Sequence, residues 1–325
     1  MKRVDERIYY YPKYDGTNEY LRCCERIWKK CGYSVYPLPR VRSLIKSVRT
    51  RRSVVVLNWL EDNISGNKGG FIKLCKLVFI AAMVRIKFYK VIWVRHNYKP
   101  HLSYSRVYYW IAIKVLTLIS DDVITHRPVS RFKSQYIPHP LYDEYFEIST
   151  SKSKRDIGFL LFGAVKPYKK IDILLENWPV SEPLLIAGYC NDQGLEGKIR
   201  NIIHSRELKV SWINEFLTYG ALCELIKRAQ FTVLSHQDES MIVSGAFYHA
   251  ISYGSNILTI ENAFYREYIN QYDFVKSFDY QNLPQVIQRL SDAWIPVNSI
   301  ENLSDKSIRK EWLDLLTTDQ SNSGI

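Results

Sequence analysis

Residues 157–175 read Ile157-Gly-Phe-Leu-Leu-Phe-Gly-Ala-Val-Lys-Pro-Tyr-Lys-Lys-Ile-Asp-Ile-Leu-Leu. The apolar run 157–162 has the pattern of a buried strand, Gly163 ends it, a basic loop follows, and an amphipathic helix begins. Strand, loop and helix in that order form the unit of a parallel sheet with crossover helices, and the stretch therefore predicts an α/β fold. The same rhythm continues with strands near 184–187, 208–212, 231–235, 256–260 and 273–275.

Upstream the alternation is equally clear. Strands are expected near 7–11, 33–36, 53–57, 90–94, 122–125 and 135–137, with helices near 18–31, 40–48, 69–88 and 104–118. It pauses across Ile137-Pro-His-Pro-Leu-Tyr and the polar Ser149-Thr-Ser-Lys-Ser-Lys-Arg, where prolines and composition read as a linker. A chain of 325 residues also exceeds what one hydrophobic core usually serves. Two doubly wound domains are predicted, 1–145 and 155–300, followed by a C-terminal helix and tail over 301–325. Ligands of such folds bind outside the carboxyl ends of the strands, so a cleft between facing domains is where chemistry is expected.

The charge is divided unevenly. Of a formal net +12, residues 1–140 carry 27 Lys and Arg against 9 Asp and Glu, and the remainder 18 against 24. An excess of +18 in one half and −6 in the other points to an anionic partner for the first, a lipid surface or a nucleic acid. Between Arg22 and Arg52 ten basic residues face one acid, Glu25. Lys73, Lys76, Lys87 and Lys90 fall on one arc of a helical wheel, with Phe71, Leu74, Val78 and Phe88 as an apolar portion. That pattern suits anionic headgroups, and it equally describes a core-packed crossover helix with a solvated lysine face.

Cysteines 23, 24, 31, 75, 190 and 223 show neither Cys-x-x-Cys nor a disulfide framework, which suggests a reducing compartment. The opening Met-Lys-Arg-Val-Asp-Glu-Arg lacks the apolar core of a signal peptide, and no stretch reaches the roughly 20 apolar residues of a membrane span. The expectation is a cytoplasmic protein.

Two segments have the makings of a phosphate site. In the first, Gly163 lets the backbone approach a diphosphate while Lys166 and Lys169 supply charge; a solvated basic turn is the plain alternative. In the second, Ser244-Gly245 opens a helix after the strand Phe231–Leu234, either as an ordinary N-cap or as a grip on a phosphate.

Gly-x-x-x-Pro-Tyr-Lys at 163–169, Leu184-Leu-Ile-Ala-Gly, Ser244-Gly-Ala and Ala250-Ile-Ser-Tyr-Gly-Ser-Asn-Ile-Leu together resemble the donor half of bacterial GT-B glycosyltransferases. The likeness is greatest to exopolysaccharide and lipopolysaccharide transferases akin to glycosyltransferase family 4 and the xanthan-type mannosyltransferases. In the first half, Trp93-Val-Arg-His-Asn-Tyr-Lys-Pro-His resembles their His-Asn-x-x-Pro-His block, and Asn18 with Tyr20 matches the pattern of their opening loop. Ala164 departs from the arginine often found there, and Asp238 and Glu239 lie upstream of Ser244 in place of an intact Glu-x7-Glu. The resemblance implies a GT-B fold of two Rossmann-like domains, the first binding an acceptor and the second a nucleotide-sugar donor held by Gly163, Lys166, Lys169, Ser244 and Gly245. It implies a lipid-linked saccharide acceptor and a peripheral enzyme on the inner face of the plasma membrane.

Transfer requires relief of charge on the departing diphosphate, which lysines and backbone donors supply, so no cofactor and no metal are expected. It also calls for a base at the acceptor hydroxyl when the centre is inverted. Asp15, Glu19 and His96 are the candidates, read otherwise as a turn residue, a first-turn helix residue and a structural histidine. His96 with His101 lacks the further ligand a metal pair would need. A nucleic-acid binder would use the positive charge and 24 tyrosines, but no motif of the known modules is present and no nucleic-acid partner is expected. A sugar-nucleotide epimerase and a noncatalytic partner subunit are the other readings compatible with the fold.

Overall fold

The computed structural model describes residues 6–16, 18–46, 50–66, 69–100, 103–143, 154–236, 241–292 and 295–317. His101, Asp238, Glu239 and the polar stretch 144–153 lie outside them. The chain divides into two compact units, one of residues 1–140, 240–243 and 305–325, the other of 141–239 and 244–304.

The first unit holds β1 (Arg7–Tyr11), α1 (Glu19–Lys30), β2 (Ser34–Pro37), α2 (Val41–Lys46), β3 (Thr50–Asn58), α3 (Gly70–Lys87), β4 (Phe88–Val94), α4 (Arg106–Ile119), β5 (Asp122–Thr125) and β6 (Gln135–Tyr136). The six strands are parallel in the order β2-β1-β3-β4-β5-β6. Strand order reverses between β1 and β3, the position at which doubly wound sheets open a crevice.

Residues 54–57 and 91–94 are buried on both faces, as parallel strands between helical layers must be. One layer is α1, whose Tyr20, Leu21, Cys24, Ile27 and Trp28 recur at helical spacing over Ile8, Val54, Val56 and Ile92. Glu19 in its first turn and Lys29 and Lys30 in its last complement the helix dipole, and Gly32 at φ +94° takes the chain out of it. The other layer is α2, α3 and α4, with Leu44, Leu74, Leu77, Val84, Ala112 and Leu116 over Val55, Leu57, Val91 and Trp93.

The last described helix closes this unit. Trp312 meets Trp28 edge-on, and Arg26 and Lys30 hold Asp305 at 2.8 and 2.9 Å. Lys90, expected on the arc of an exposed helix, belongs instead to β4 and is 3% exposed. Its ammonium bonds Asp122 Oδ2 at 2.9 Å and the Leu315 carbonyl at 2.7 Å. Phe88 is likewise a buried strand residue. The helical wheel ends at Lys87, where β4 begins.

The second unit holds β7 (Ile157–Phe162), α5 (Ile171–Asn177), β8 (Leu184–Ala187), α6 (Gln193–Ser205), β9 (Val210–Ile213), α7 (Tyr219–Arg228), β10 (Ala229–Leu234), α8 (Gly245–Ser252), β11 (Asn256–Ile260), α9 (Tyr265–Gln271), β12 (Val275–Phe278) and α10 (Leu283–Gln288). With the closing helix of the first unit as α11 (Asp305–Thr317), the inventory of α-helices is complete among the described residues. Its six parallel strands run β12-β11-β10-β7-β8-β9, the dinucleotide-binding order, with the reversal between β7 and β10. Asp192, Thr218 and Ser244 cap α6, α7 and α8 by accepting from the backbone N–H three residues on.

Candidate functional site

The loop after β7 leaves the sheet at the reversal point and is shaped by two glycines. Gly163 sits at φ +85°, in the left-handed region. Gly188, at the end of the adjacent β8, supports it from beneath: a Cβ at that position would come within 2.2 Å of the Gly163 carbonyl oxygen. The loop is then zipped to β8 by Gly163 N–H to Ala187 O and Val165 N–H to Tyr189 O, both 2.9 Å.

Lys169 folds under this loop, donating to the Phe162 carbonyl at 3.0 Å, and burial lowers its pKa to about 8. Lys166 donates to Asn191 Oδ1 at 2.7 Å from the neighbouring strand end. A 3-10 turn over Pro167–Lys169 and a left-handed Lys170 separate the loop from α5, which is only seven residues long. The glycines and the two lysines, rather than a helix dipole, give this loop its character.

Ser244 is buried, and its hydroxyl accepts from Phe247 N–H at 3.3 Å while bonding Tyr265 Oη at 3.0 Å. Its side chain is thus a cap. Gly245 is exposed, and the first-turn N–H groups of α8 need no partner inside the helix. The lysine loop and this helix start are joined through rings: His236, after β10, lies 6.1 Å from Tyr168 and 6.0 Å from Tyr265. Ser235 Oγ donates to the Lys169 carbonyl at 2.6 Å. All five donor candidates therefore lie at one edge of one sheet.

Sequence reasoning missed an aromatic pair on that edge. Tyr189, after β8, and Phe216, after β9, hold their rings 4.5 Å apart, and Phe216 is 81% exposed. Loop aromatics carry no periodic signal, which is why only the topology finds them. The 620 Å³ concavity lined by Phe231, Asn256, Asp273, Phe274 and Arg289 lies at the opposite, amino-terminal edge of this sheet, away from these groups.

In the first unit the carboxyl edge carries a different arrangement. Tyr20, from α1, lies at the centre of a ring cluster with Trp59, His96, His126 and His139, at centroid distances of 5.0 to 5.5 Å. Trp59 stacks on His96 at 4.0 Å and is held at φ +52°, a left-handed backbone unusual for so large a residue. His96, His126 and His139 are each 1–2% exposed.

Hydrogen bonds fix the tautomers. His126 Nδ1–H donates to the Ile137 carbonyl at 2.8 Å, so its Nε2 accepts from the Tyr20 hydroxyl at 2.8 Å. Asn58 Nδ2 donates to the Tyr11 carbonyl at 3.0 Å, turning Oδ1 to receive His96 Nε2–H at 3.1 Å. Among the described residues His96 Nδ1 meets no hydrogen-bond partner, which leaves it an acceptor. Burial pushes the pKa of all three histidines down, that of His126 to about 4, and the neighbouring rings push His96 and His139 further. All are neutral at pH 7. Among the described residues no group of three or more His, Cys, Asp or Glu could hold a metal ion.

Of the other candidate bases, Glu19 is buried in the first turn of α1, accepting from Tyr14 Oη at 2.8 Å and paired with Arg22. Asp15 is exposed in the loop before Gly16, which sits at φ +91°. His126 and His139 follow β5 and β6 as His96 follows β4, so the rule that singled out one of them applies to all three.

No family model matches the chain, and no curated protein matches it in sequence. Among solved structures it is similar to HepE of Anabaena in complex with UDP-glucose, at 12% identity and TM-score 0.57 over 98% of this chain and 100% of that one. It is similar to AviGT4, a glycosyltransferase involved in avilamycin A biosynthesis, at 10% identity and TM-score 0.61 over 98% and 99%. The UDP-forming alpha,alpha-trehalose-phosphate synthase from Burkholderia vietnamiensis is similar at 8% identity and TM-score 0.59, over 87% of this chain and 76% of that one. Two six-stranded parallel sheets flanked by helices, together with these likenesses over nearly the whole length, establish that the chain has the GT-B fold.

Proposed function

We propose that the protein is a glycosyltransferase that moves a hexose from a nucleotide-diphosphate sugar to a lipid-linked oligosaccharide in bacterial surface-polysaccharide synthesis. In this reading it works in the cytoplasm on the inner face of the plasma membrane, its second unit binding the donor and its first the acceptor. The observation that carries the reading is the Gly163 loop, cleared by Gly188 and furnished with Lys166 and Lys169 at the strand-order reversal. Structures of the same fold that hold UDP and UDP-glucose support a nucleotide donor.

The donor diphosphate would lie against the loop backbone. Lys166 and Lys169 would exchange their present carbonyl partners for phosphate oxygens, gaining charge-assisted bonds. The N–H groups at the start of α8 would take the remaining negative charge that develops as the sugar departs. Tyr189 and Phe216 offer the nucleobase a stacking surface.

On the acceptor side this reading assigns the proton to His96. Its Nε2–H is held by Asn58, its ring is stacked on Trp59, and its Nδ1, which meets no partner among the described residues, would take the proton from a neutral imidazole. Tyr20 and His126 hold the surrounding rings in register.

The test is thermal stabilisation by a panel of nucleoside diphosphates and nucleotide sugars, since a ligand that binds only the native state raises Tm. One nucleotide should stabilise the wild type, and Lys169→Ala should markedly reduce the shift. If no nucleotide stabilises the protein at millimolar concentration, the transferase reading fails.

A further inference from the structure

The outer surface of the α2–α4 layer is more apolar than a solvated helix face. On α3, Phe71, Ile72, Val78, Phe79 and Ile86 are 40–64% exposed, and on a helical wheel they form one continuous arc with Cys75 and Ala82. Lys76 borders the arc on one side and Arg85 on the other, both exposed. On the neighbouring α4, Val107, Trp110 and Leu118 are 61–85% exposed, and Lys114 Nζ lies 5.6 Å from the Trp110 ring.

The inner faces of these helices are already buried over the sheet, so the outer arc is not a displaced core surface. Contiguous exposed apolar surface of this kind marks a place of association. Its charge says with what. Helices α2, α3 and α4 contain no Asp or Glu, and Asp121, just beyond α4, is held by Arg85 at 2.9 and 3.1 Å. Two copies of such a face would oppose cation to cation.

We infer that the outer face of α3 and α4 is a membrane-docking surface for an anionic lipid bilayer. Phe71, Ile72, Phe79, Trp110 and Leu118 enter the acyl boundary, while Lys76, Arg85 and Lys114 reach the headgroups from its margin. Long cationic side chains at the rim of an apolar stripe are suited to that depth. No helix among the described residues is long and apolar enough to cross a membrane, so the attachment is interfacial. The inference deepens the membrane part of the proposed function and rests on it only for the lipid-linked acceptor.

The placement fits such an acceptor. The first turns of α3 and α4, which carry Phe71, Ile72 and Val107, follow β3 and β4 and so lie toward the carboxyl edge that holds Trp59 and His96. Docking through this face sets the acceptor-side cluster of the same unit near the headgroup layer.

The test is co-sedimentation of the full chain with vesicles of phosphatidylglycerol and phosphatidylcholine, and with phosphatidylcholine alone. Wild type should partition at least tenfold more strongly onto the anionic vesicles and retain part of that binding at 0.5 M salt. Phe71→Ser with Phe79→Ser should lower partitioning at least tenfold, and Lys76→Glu with Lys114→Glu should remove the preference for anionic lipid. Brominated lipid should quench wild-type fluorescence more than that of Trp110→Phe.

Wild type that stays in the supernatant, or a Phe71/Phe79 variant that binds like wild type, overturns the inference. So does binding of soluble polyglutamate in place of vesicles, or a dimer that the Phe71/Phe79 variant dissolves. Nucleotide stabilisation measured on the same preparations separates failure here from failure of the transferase reading. Retention of that stabilisation by every variant shows that they are folded.

Discussion

The carboxyl edges of the two sheets are built on opposite electrostatic plans. The first unit gathers three buried histidines, neutral at pH 7, around the buried Tyr20 and beside the half-buried Trp59. The second presents glycines, two lysines and open backbone donors, with exposed rings beside them. A buried neutral imidazole can take a proton from a hydroxyl without first being desolvated, whereas an anion is best met by cations that are already in place. In the proposed function this contrast would divide the labour of transfer between proton acceptance and charge relief.

The division is broken most directly at His96. His96→Ala should lower the transfer rate by about 10²- to 10⁴-fold, the usual range for a general base, while leaving nucleotide stabilisation intact. A loss of nucleotide binding in this variant would show that the two edges do not act separately. Rate measurements and thermal shifts on one preparation decide it.

Next in size is Gly188→Ala. The added methyl meets backbone rather than a movable side chain, so it should destabilise the second unit by about 3 kcal/mol, at the upper end of ordinary overpacking. Urea denaturation should show the loss. Unchanged stability would mean that the Gly163 loop is not shaped by β8.

An effect of similar size is expected from acid. His126 has a folded pKa of about 4, below its unfolded value, so the unfolded chain takes up a proton first as pH falls. Stability is fully present above about pH 6.5 and is lost progressively toward pH 4, by on the order of 3 kcal/mol from this residue. His126→Gln should flatten the dependence of Tm on pH across that window.

Lys169→Ala should weaken nucleotide binding by about 1.5–3 kcal/mol, the worth of a hydrogen bond to a charged group. In the wild type the same affinity should fall as pH rises through about 8, where the free protein loses the lysine proton. Calorimetric titrations at pH 7 and pH 9 test both the size and the sign. Smallest is Phe216→Ala, for which about 1–2 kcal/mol of nucleotide affinity is expected if the ring stacks on a base.

How much of this is legible without coordinates depends on whether a residue's role is local or set by its neighbours. The twelve strands are legible because apolar runs bounded by turn residues repeat at a fixed rhythm. The Gly163 loop is legible for the same reason, being a departure from that rhythm at a known place. The partnership of Gly188 with Gly163 is not, since it joins two loops 25 residues apart across a strand pairing. Lys90 shows the limit of periodicity: the wheel that places Lys73, Lys76 and Lys87 on a helix runs on without a signal into β4. The exposed arc of α3 is hidden by the opposite problem, because a helix apolar nearly all round does not announce which side is covered.

The return of α11 to the first unit has a consequence for how the protein is made. Arg26, Trp28, Lys30 and Lys90, all in the first hundred residues, each take one partner from residues 305–315. The second unit, by contrast, is complete in sequence by residue 304. During synthesis the unit that emerges first therefore finishes last: its sheet waits, one helix short and with Lys90 lacking its Leu315 partner, until the second unit has left the ribosome. A chain truncated before Asp305 and released should carry a folded second unit and an incomplete first one, reversing the usual order in which domains mature along a growing chain.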